Sequence, residues 1–307
     1  MKRLALLLAA LLWAGCAQAQ VSLPFPGPGK AGSGGGGGGS LVLDGLTTGV
    51  KACFSTRKLL TAYAGSAIRV ERATTGQTDI GFASDVLDTA ALGTYCSGTT
   101  CKVMTWYDQC GAGFNHTVPT FASAPIIYQT GAVTTLNSKP ALLSVKATPT
   151  YLTNATMMAT PTNTMWQSAA VRWDSGAGDN AITGSTLDQS WEWRFSGGNV
   201  QLMKSASALV GASTSSPASG TAALLEVQYN QASGLWSHWT NRTAAGTGTN
   251  VYAMTAYPSM FFCGIGVGNE CFNGAVGEII IYDLVGGIPG ASQTSITLNQ
   301  KTYWGTP

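Results

Sequence analysis

The chain has 307 residues, 39 of them Gly, with 16 Lys+Arg against 14 Asp+Glu. Only 10% of residues are charged, far below the roughly 25% of an average soluble domain, whereas 45% are hydrophobic, which suffices for a large core and excludes general disorder. Removing residues 1–19 takes away Lys2 and Arg3 and leaves 14 charges of each sign, which speaks against a nucleic-acid partner; two histidines, His116 and His238, are too few for a multi-histidine metal site, so neither metal nor other cofactor is expected.

Met1-Lys2-Arg3 is a basic start. Leu4 to Ala14 is a compact apolar run, and Ala17-Gln18-Ala19 is a small-x-small site. Together they predict a secretory signal peptide over 1–19, cleaved after Ala19. The run is shorter than the ~20 residues of a spanning helix, and no other stretch reads as transmembrane. Trp13-Ala14-Gly15-Cys16 offers a competing lipoprotein box, with a lipid anchor on Cys16. Either way the expected location is exported: periplasmic, extracellular or cell-surface. Residues 20–40 are dominated by Pro and Gly and predict a flexible tether; no Gly-Lys-Ser/Thr follows the glycine run, so it is not a phosphate loop.

Residues 41–307 read as one domain. Short helices are expected at Ser55–Ala64 and Val86–Tyr95, and a last helix at Gln293–Tyr303. Most of the rest reads as strands between Gly, Ser, Thr and Asn turns. Cys101 to Tyr107 alternates in the strand manner. So does Ser190-Trp-Glu-Trp-Arg-Phe, which sends Trp191, Trp193 and Phe195 to one face and Glu192 and Arg194 to the other. The segments from Glu226, Leu235 and Val276 look similar. Many strands and little helix predict an all-β, two-sheet sandwich.

Six cysteines follow Cys16, an even number that fits an exported, disulfide-bonded chain. Of 15 connectivities, spacing favours Cys96–Cys101 and Cys263–Cys271 across short turns, which leaves Cys53–Cys110.

Several stretches carry a family resemblance. They are Ser66 to Arg72, Asp79-Ile-Gly-Phe, Leu87-Asp-Thr-Ala-Ala, Cys96-Ser-Gly-Thr-Thr-Cys and Thr105-Trp-Tyr-Asp-Gln-Cys-Gly-Ala-Gly-Phe-Asn. They resemble the catalytic domain of α-L-arabinofuranosidase B, a concanavalin A-like jelly roll. In that family a Tyr-Asp-Gln-Ser-Gly-x-Gly-Asn motif follows a short Cys-x4-Cys loop; here Cys110 stands for the Ser. The stretch from Gly264-Ile-Gly through Phe272 to Asp283 resembles both that family and the wider laminin-G-like lectins. The resemblance is strong over the first 70 residues of the domain and thin in its middle.

It implies two catalytic carboxylates. Glu192 lies where the family nucleophile stands, with Arg194 on its face; a surface ion pair is the bland alternative. The family acid is an Asp shortly after Gly-Ile-Gly, and no Asp stands there. Glu270 is the substitute, or else a solvated loop carboxylate. The family's vicinal Cys-Cys pair is also absent. Asp108 is expected to hold its turn together, with ligand contact as the alternative. Trp236, His238 and Trp239 lie in a polar strand context and are candidates for sugar stacking, against an ordinary core role. Asp174, Asp179 and Asp188 occupy Gly-rich loops in a spacing that matches no calcium loop.

Three functional classes follow. The leading expectation is an exported, carbohydrate-recognising jelly roll without the full catalytic set, its partner an arabinofuranosyl-containing glycan. The second is an active retaining glycoside hydrolase of the α-L-arabinofuranosidase kind, with Glu192 as nucleophile and Glu270 as acid. The third is a structural surface or phage-associated domain. Fold resemblance supports all three, because function resides in the site.

Overall fold

A computed structural model describes residues 40–307 except 74–75, 158–160, 162, 175–177, 186–190, 205–207 and 265–269. The expected signal peptide and all but the last residue of the expected tether lie outside the described residues.

Two antiparallel sheets face each other. The first runs in the spatial order Thr243–Thr249, Leu235–Thr240, Ala222–Asn230, Thr164–Trp173, Gly274–Leu284 and Val50–Ser55. The second begins at Gln77–Ile80 and passes through Ile68–Arg72, Cys101–Trp106, His116–Thr117 and Leu152–Thr153. It continues through Met260–Phe261, Asn180–Gly184, Glu192–Ser196 and Asn199–Met203 to Leu209–Ala212. Ile126–Gln129 and Leu142–Ser144 pair with each other and with a strand of each sheet, joining them at one side. This is the jelly-roll sandwich that the strand-rich sequence predicts.

Period-2 patterning explains the layers. On Thr164–Trp173, the odd positions Met165, Ala169 and Val171 enter the central core, while Trp166 and Ala170 face outward into two smaller clusters. Gln167 also points inward, and its amide donates to Thr183 Oγ1 of the facing sheet at 3.0 Å. A buried polar side chain in such a core needs that partner. The second sheet contributes Ile68, Val70, Trp106, Ile182, Trp193, Phe195 and Leu202. His116 is fully buried among them, its ring stacked on Phe261 at 3.8 Å.

The outer face of the first sheet is covered by the helix Gly290–Trp304, whose buried residues Ile296, Thr297, Gln300 and Trp304 lie on one side. Gly305, at φ 61°, ends it in the left-handed conformation that glycine adopts without strain. The helix is longer at both ends than Gln293–Tyr303.

The two other expected helices differ more. Ser55–Ala64 is not helical: Ser55 closes the first strand, and the backbone after it is taken by the Gln109 side chain. That amide donates to the carbonyls of Ser55 and Arg57 and accepts from Leu59 N–H, replacing the bonds a helix would make. Of Val86–Tyr95, only Thr89–Tyr95 is helical, because Asp88 caps it by accepting from Ala91 N–H, while Val86–Leu87 pairs with Phe82–Ala83.

Candidate active site

The strand Glu192–Ser196 turns back through Gly197 and Gly198, both at positive φ, into Asn199–Met203. Its alternation puts Trp193 and Phe195 in the core and Glu192 and Arg194 on the opposite face. That opposite face is also closed. Glu192 is 0% exposed and Arg194 5% exposed, so the pair is not a sheet-surface ion pair.

Gly264 and Glu270 meet this face beside Cys263 and Cys271. Cys263 and Cys271 are disulfide-bonded. Ala181 N–H donates to the Glu270 carbonyl at 2.8 Å, and Phe272 N–H to the Phe262 carbonyl at 2.7 Å. These bonds fix the backbone of Glu270 beside the neighbouring strand, and its side chain turns inward. Glu270 is 9% exposed, which overturns the expectation of a solvated loop carboxylate.

Three carboxylates meet one nitrogen there. Arg194 Nη1 lies 2.8 Å from Asp179 Oδ2, 3.0 Å from Glu192 Oε1 and 3.1 Å from Glu270 Oε1. Gln201 Oε1 accepts from Arg194 Nε at 3.4 Å. Gly264 floors the cluster, where an added Cβ would collide with Glu192 Oε2 and come within 3.0 Å of Glu270 Oε2. Only a residue without a side chain allows both carboxylates to reach this point.

Burial, then the charge of adjoining Glu192, pushes the Glu270 carboxyl up to about 8, with Asp179 adding to the rise and Arg194 opposing it. Glu270 therefore carries a proton at neutral pH. Its Oε2 is buried and faces no hydrogen-bond donor among the described residues, which leaves that oxygen to hold the proton. Two adjacent carboxyl groups, one protonated and the other paired with a guanidinium, can divide acid and nucleophile work between them.

The remaining candidates are engaged elsewhere. Asp108 is 4% exposed; Oδ1 accepts from the N–H groups of Cys53 and Cys110, and Oδ2 from those of Ala112 and Phe114. It holds its turn, and no lone-pair direction remains for a ligand. Cys53 and Cys110 beside it are disulfide-bonded, as are Cys96 and Cys101.

Trp236 and His238 share a face of Leu235–Thr240, with Trp239 on the other. The Trp236 indole lies over Gly211, Gly246 and Gly248, where any Cβ would press into it. His238 is 1% exposed, and burial lowers its pKa to about 4. These three stand on a strand of the first sheet, whereas Glu192 stands on a strand of the second.

Asp179 and Lys146 complete the cluster without a signal in their own stretches of sequence, whereas Gly264 opens the Gly-Ile-Gly stretch that carries the family resemblance. Lys146 Nζ donates to the Asp179 carbonyl. Each depends on a loop whose path is set by distant pairing. Asp188 lies outside the described residues.

Residues 41–189 match the family model described as "Alpha-L-arabinofuranosidase B, catalytic". The fold is similar to a solved arabinofuranosidase complexed with arabinofuranosyl-alpha-1,2-xylobiose, with a TM-score of 0.64 at 18% identity over 84% of this chain and 64% of that one. It is equally similar to a GH54 a-l-arabinofuranosidase soaked with a cyclic sulfate inhibitor, at TM-score 0.63 and 18% identity over the same shares. The chain thus spans about 64% of the length of these structures. A search of curated proteins gave no match. Among the described residues, no helix is long and apolar enough to cross a membrane.

Proposed function

From the premise that this chain is a divergent relative of the alpha-L-arabinofuranosidase B catalytic family, shown over residues 41–189, we propose that it is a retaining glycoside hydrolase acting on terminal α-L-arabinofuranosyl groups. The observation that carries the reading is the contact of two buried carboxyls, Glu192 and Glu270, around Arg194. Their adjacency suits retention. An inverting enzyme needs about 6.5–9.5 Å between its carboxyls to seat a water, whereas a retaining one holds them at about 5–5.5 Å.

Glu192, paired with Arg194, attacks the anomeric carbon. The bond from that carbon to the leaving oxygen breaks as Glu270 gives its proton to that oxygen. The glycosyl ester on Glu192 is then attacked by water, whose proton passes to Glu270, and the ester bond breaks to release arabinose and both carboxyls in their starting states. The ordinary family acid position is replaced by a Glu held from the disulfide-closed side. The three disulfides support an exported working place, since they persist outside the reducing cytosol.

One observation favours a second reading, a carbohydrate-recognising module without turnover: Glu192 has no exposed surface, so in this arrangement no sugar touches it. The test compares release from 4-nitrophenyl α-L-arabinofuranoside by the wild type and the Glu192→Gln variant, with the anomer of the first product read by NMR. Release with retention that vanishes in the variant is the expected result. Equal release from both proteins overturns the assignment of Glu192. No release from either, with retained binding of an arabinofuranosyl oligosaccharide, decides for the binding module.

A further inference from the structure

We infer that Asp179 is a positioning residue of this site: by holding Arg194 Nη1 and adding a third negative charge, it keeps the proton on Glu270. The inference rests on the reading of Glu270 as the acid, and it begins from a hydrogen count. One guanidinium Nη1 carries two N–H groups. Three carboxylate oxygens lie 2.8, 3.0 and 3.1 Å from it. The two hydrogen bonds from this nitrogen go to Glu192 Oε1 and Glu270 Oε1, and Asp179 Oδ2 meets it as an ion pair. The shortest contact belongs to Asp179, and the longest to Glu270.

Charge is the stronger constraint at this nitrogen. Arg194 contributes one positive charge against three carboxylates. Like charges that share a site cannot all ionise, and one of them takes up a proton. Glu270 is the one raised, by burial and then by the charge of Glu192, and its Oε2 has no hydrogen-bond partner among the described residues. The Asp179 side chain keeps 27% of its surface in solvent, against 11% for Glu270 and none for Glu192. Asp179 is thus the least buried of the three, and its charge raises Glu270.

Among the described residues, the charged groups facing Glu270 come from three places in the chain. Glu192 and Arg194 stand on their strand, Asp179 on the loop before Asn180–Gly184, and Lys146 after Leu142–Ser144. Lys146 is a second cation beside Arg194; it donates to the Asp179 carbonyl and feels the charges of both Asp179 and Glu270. Asp179 and Lys146 therefore act on Glu270 with opposite sign, although neither is assigned to touch the reacting atoms.

The experiment follows the Glu270 carboxyl by carbon NMR of protein labelled at glutamate carboxyls, its resonance identified by loss in Glu270→Gln. In the wild type it titrates near pH 8. In Asp179→Asn the midpoint falls by roughly one unit. Asp179→Glu restores it, and Lys146→Gln moves it upward. The alkaline limb of hydrolysis shifts with the midpoint in each active variant. An unchanged midpoint in folded Asp179→Asn, or a wild-type Glu270 that titrates in the ordinary carboxyl range, overturns the inference. Should Asp179→Asn fail to fold, the upward shift in Lys146→Gln decides: its absence overturns the charge balance. If the wild type releases no arabinose while the midpoints move as stated, the glycosidase reading fails and the role of Asp179 in holding the proton stands.

Discussion

Glu270 is the residue on which the chemistry of the site turns. It comes from a loop rather than a strand, and the Ala181 N–H, the Cys263–Cys271 link and Arg194 help bring its carboxyl to Glu192. Replacing it with Gln should lower hydrolysis of natural arabinofuranosyl glycosides by about 10²–10⁴-fold, the usual worth of a general acid. The loss should be much smaller for a 4-nitrophenyl leaving group, which departs without a proton. Parallel rates on the two substrates check this, and an equal loss on both contradicts the acid role. Wild-type turnover should also fall as pH rises through about 8, where Glu270 loses its proton. At the same scale, Asp108 teaches caution: an acidic residue in a family motif can be wholly engaged by backbone N–H groups.

Two elements decide whether that residue geometry survives. The first is the disulfide-closed segment. Changing Cys263 and Cys271 together to Ser should leave the sandwich folded but release Glu270 from Arg194. A misplacement of about 1 Å can cost about 10²-fold in rate. Steady-state kinetics beside a thermal melt separate the two effects, and an unchanged rate would show that the backbone bonds alone suffice. The second is the chain after the first strand, whose backbone Gln109 holds by three hydrogen bonds. Gln109→Ala should destabilise by about 1–3 kcal/mol for each buried group left unpaired. Urea denaturation measures the loss, and a change within error would mean that water replaces the amide.

For the whole molecule, pH acts on both sides of neutrality. His116 is buried and neutral, its pKa lowered by burial to about 3, and His238 is lowered to about 4. Unfolded histidines bind protons near pH 6.5, so the unfolded state holds more protons below that value. Stability from these two rings is full above about pH 6.5 and is lost as pH falls toward 4 and 3. Glu270 runs the other way. Its folded value near 8 exceeds the ordinary carboxyl range, so the native state holds the extra proton and stability declines as pH rises from about 4.5 to 8. Glu226 is raised by burial and adds to the same decline. Melting temperatures across pH 3–9 should therefore peak in the mildly acidic range. In Glu270→Gln the alkaline decline should flatten, and an unaltered slope would assign it to other groups.

The sequence by itself determined the strand alternation. Because successive side chains point to opposite faces, Glu192 and Arg194 had to share one face, with Trp191, Trp193 and Phe195 on the other. The short turns between Cys96 and Cys101 and between Cys263 and Cys271 likewise made these pairings legible. The tertiary structure decided what periodicity cannot carry: that the polar face of the strand is covered, that Glu270 turns inward, and that Asp179, Gly264 and Lys146 arrive from separate loops. It also decided that Ser55–Ala64 is not helical, since Gln109, far along the chain, takes its backbone bonds. Local pattern specifies the direction of a side chain within its own element. Which loop packs over that element depends on contacts between distant residues, and those contacts place the proton on one carboxyl rather than another.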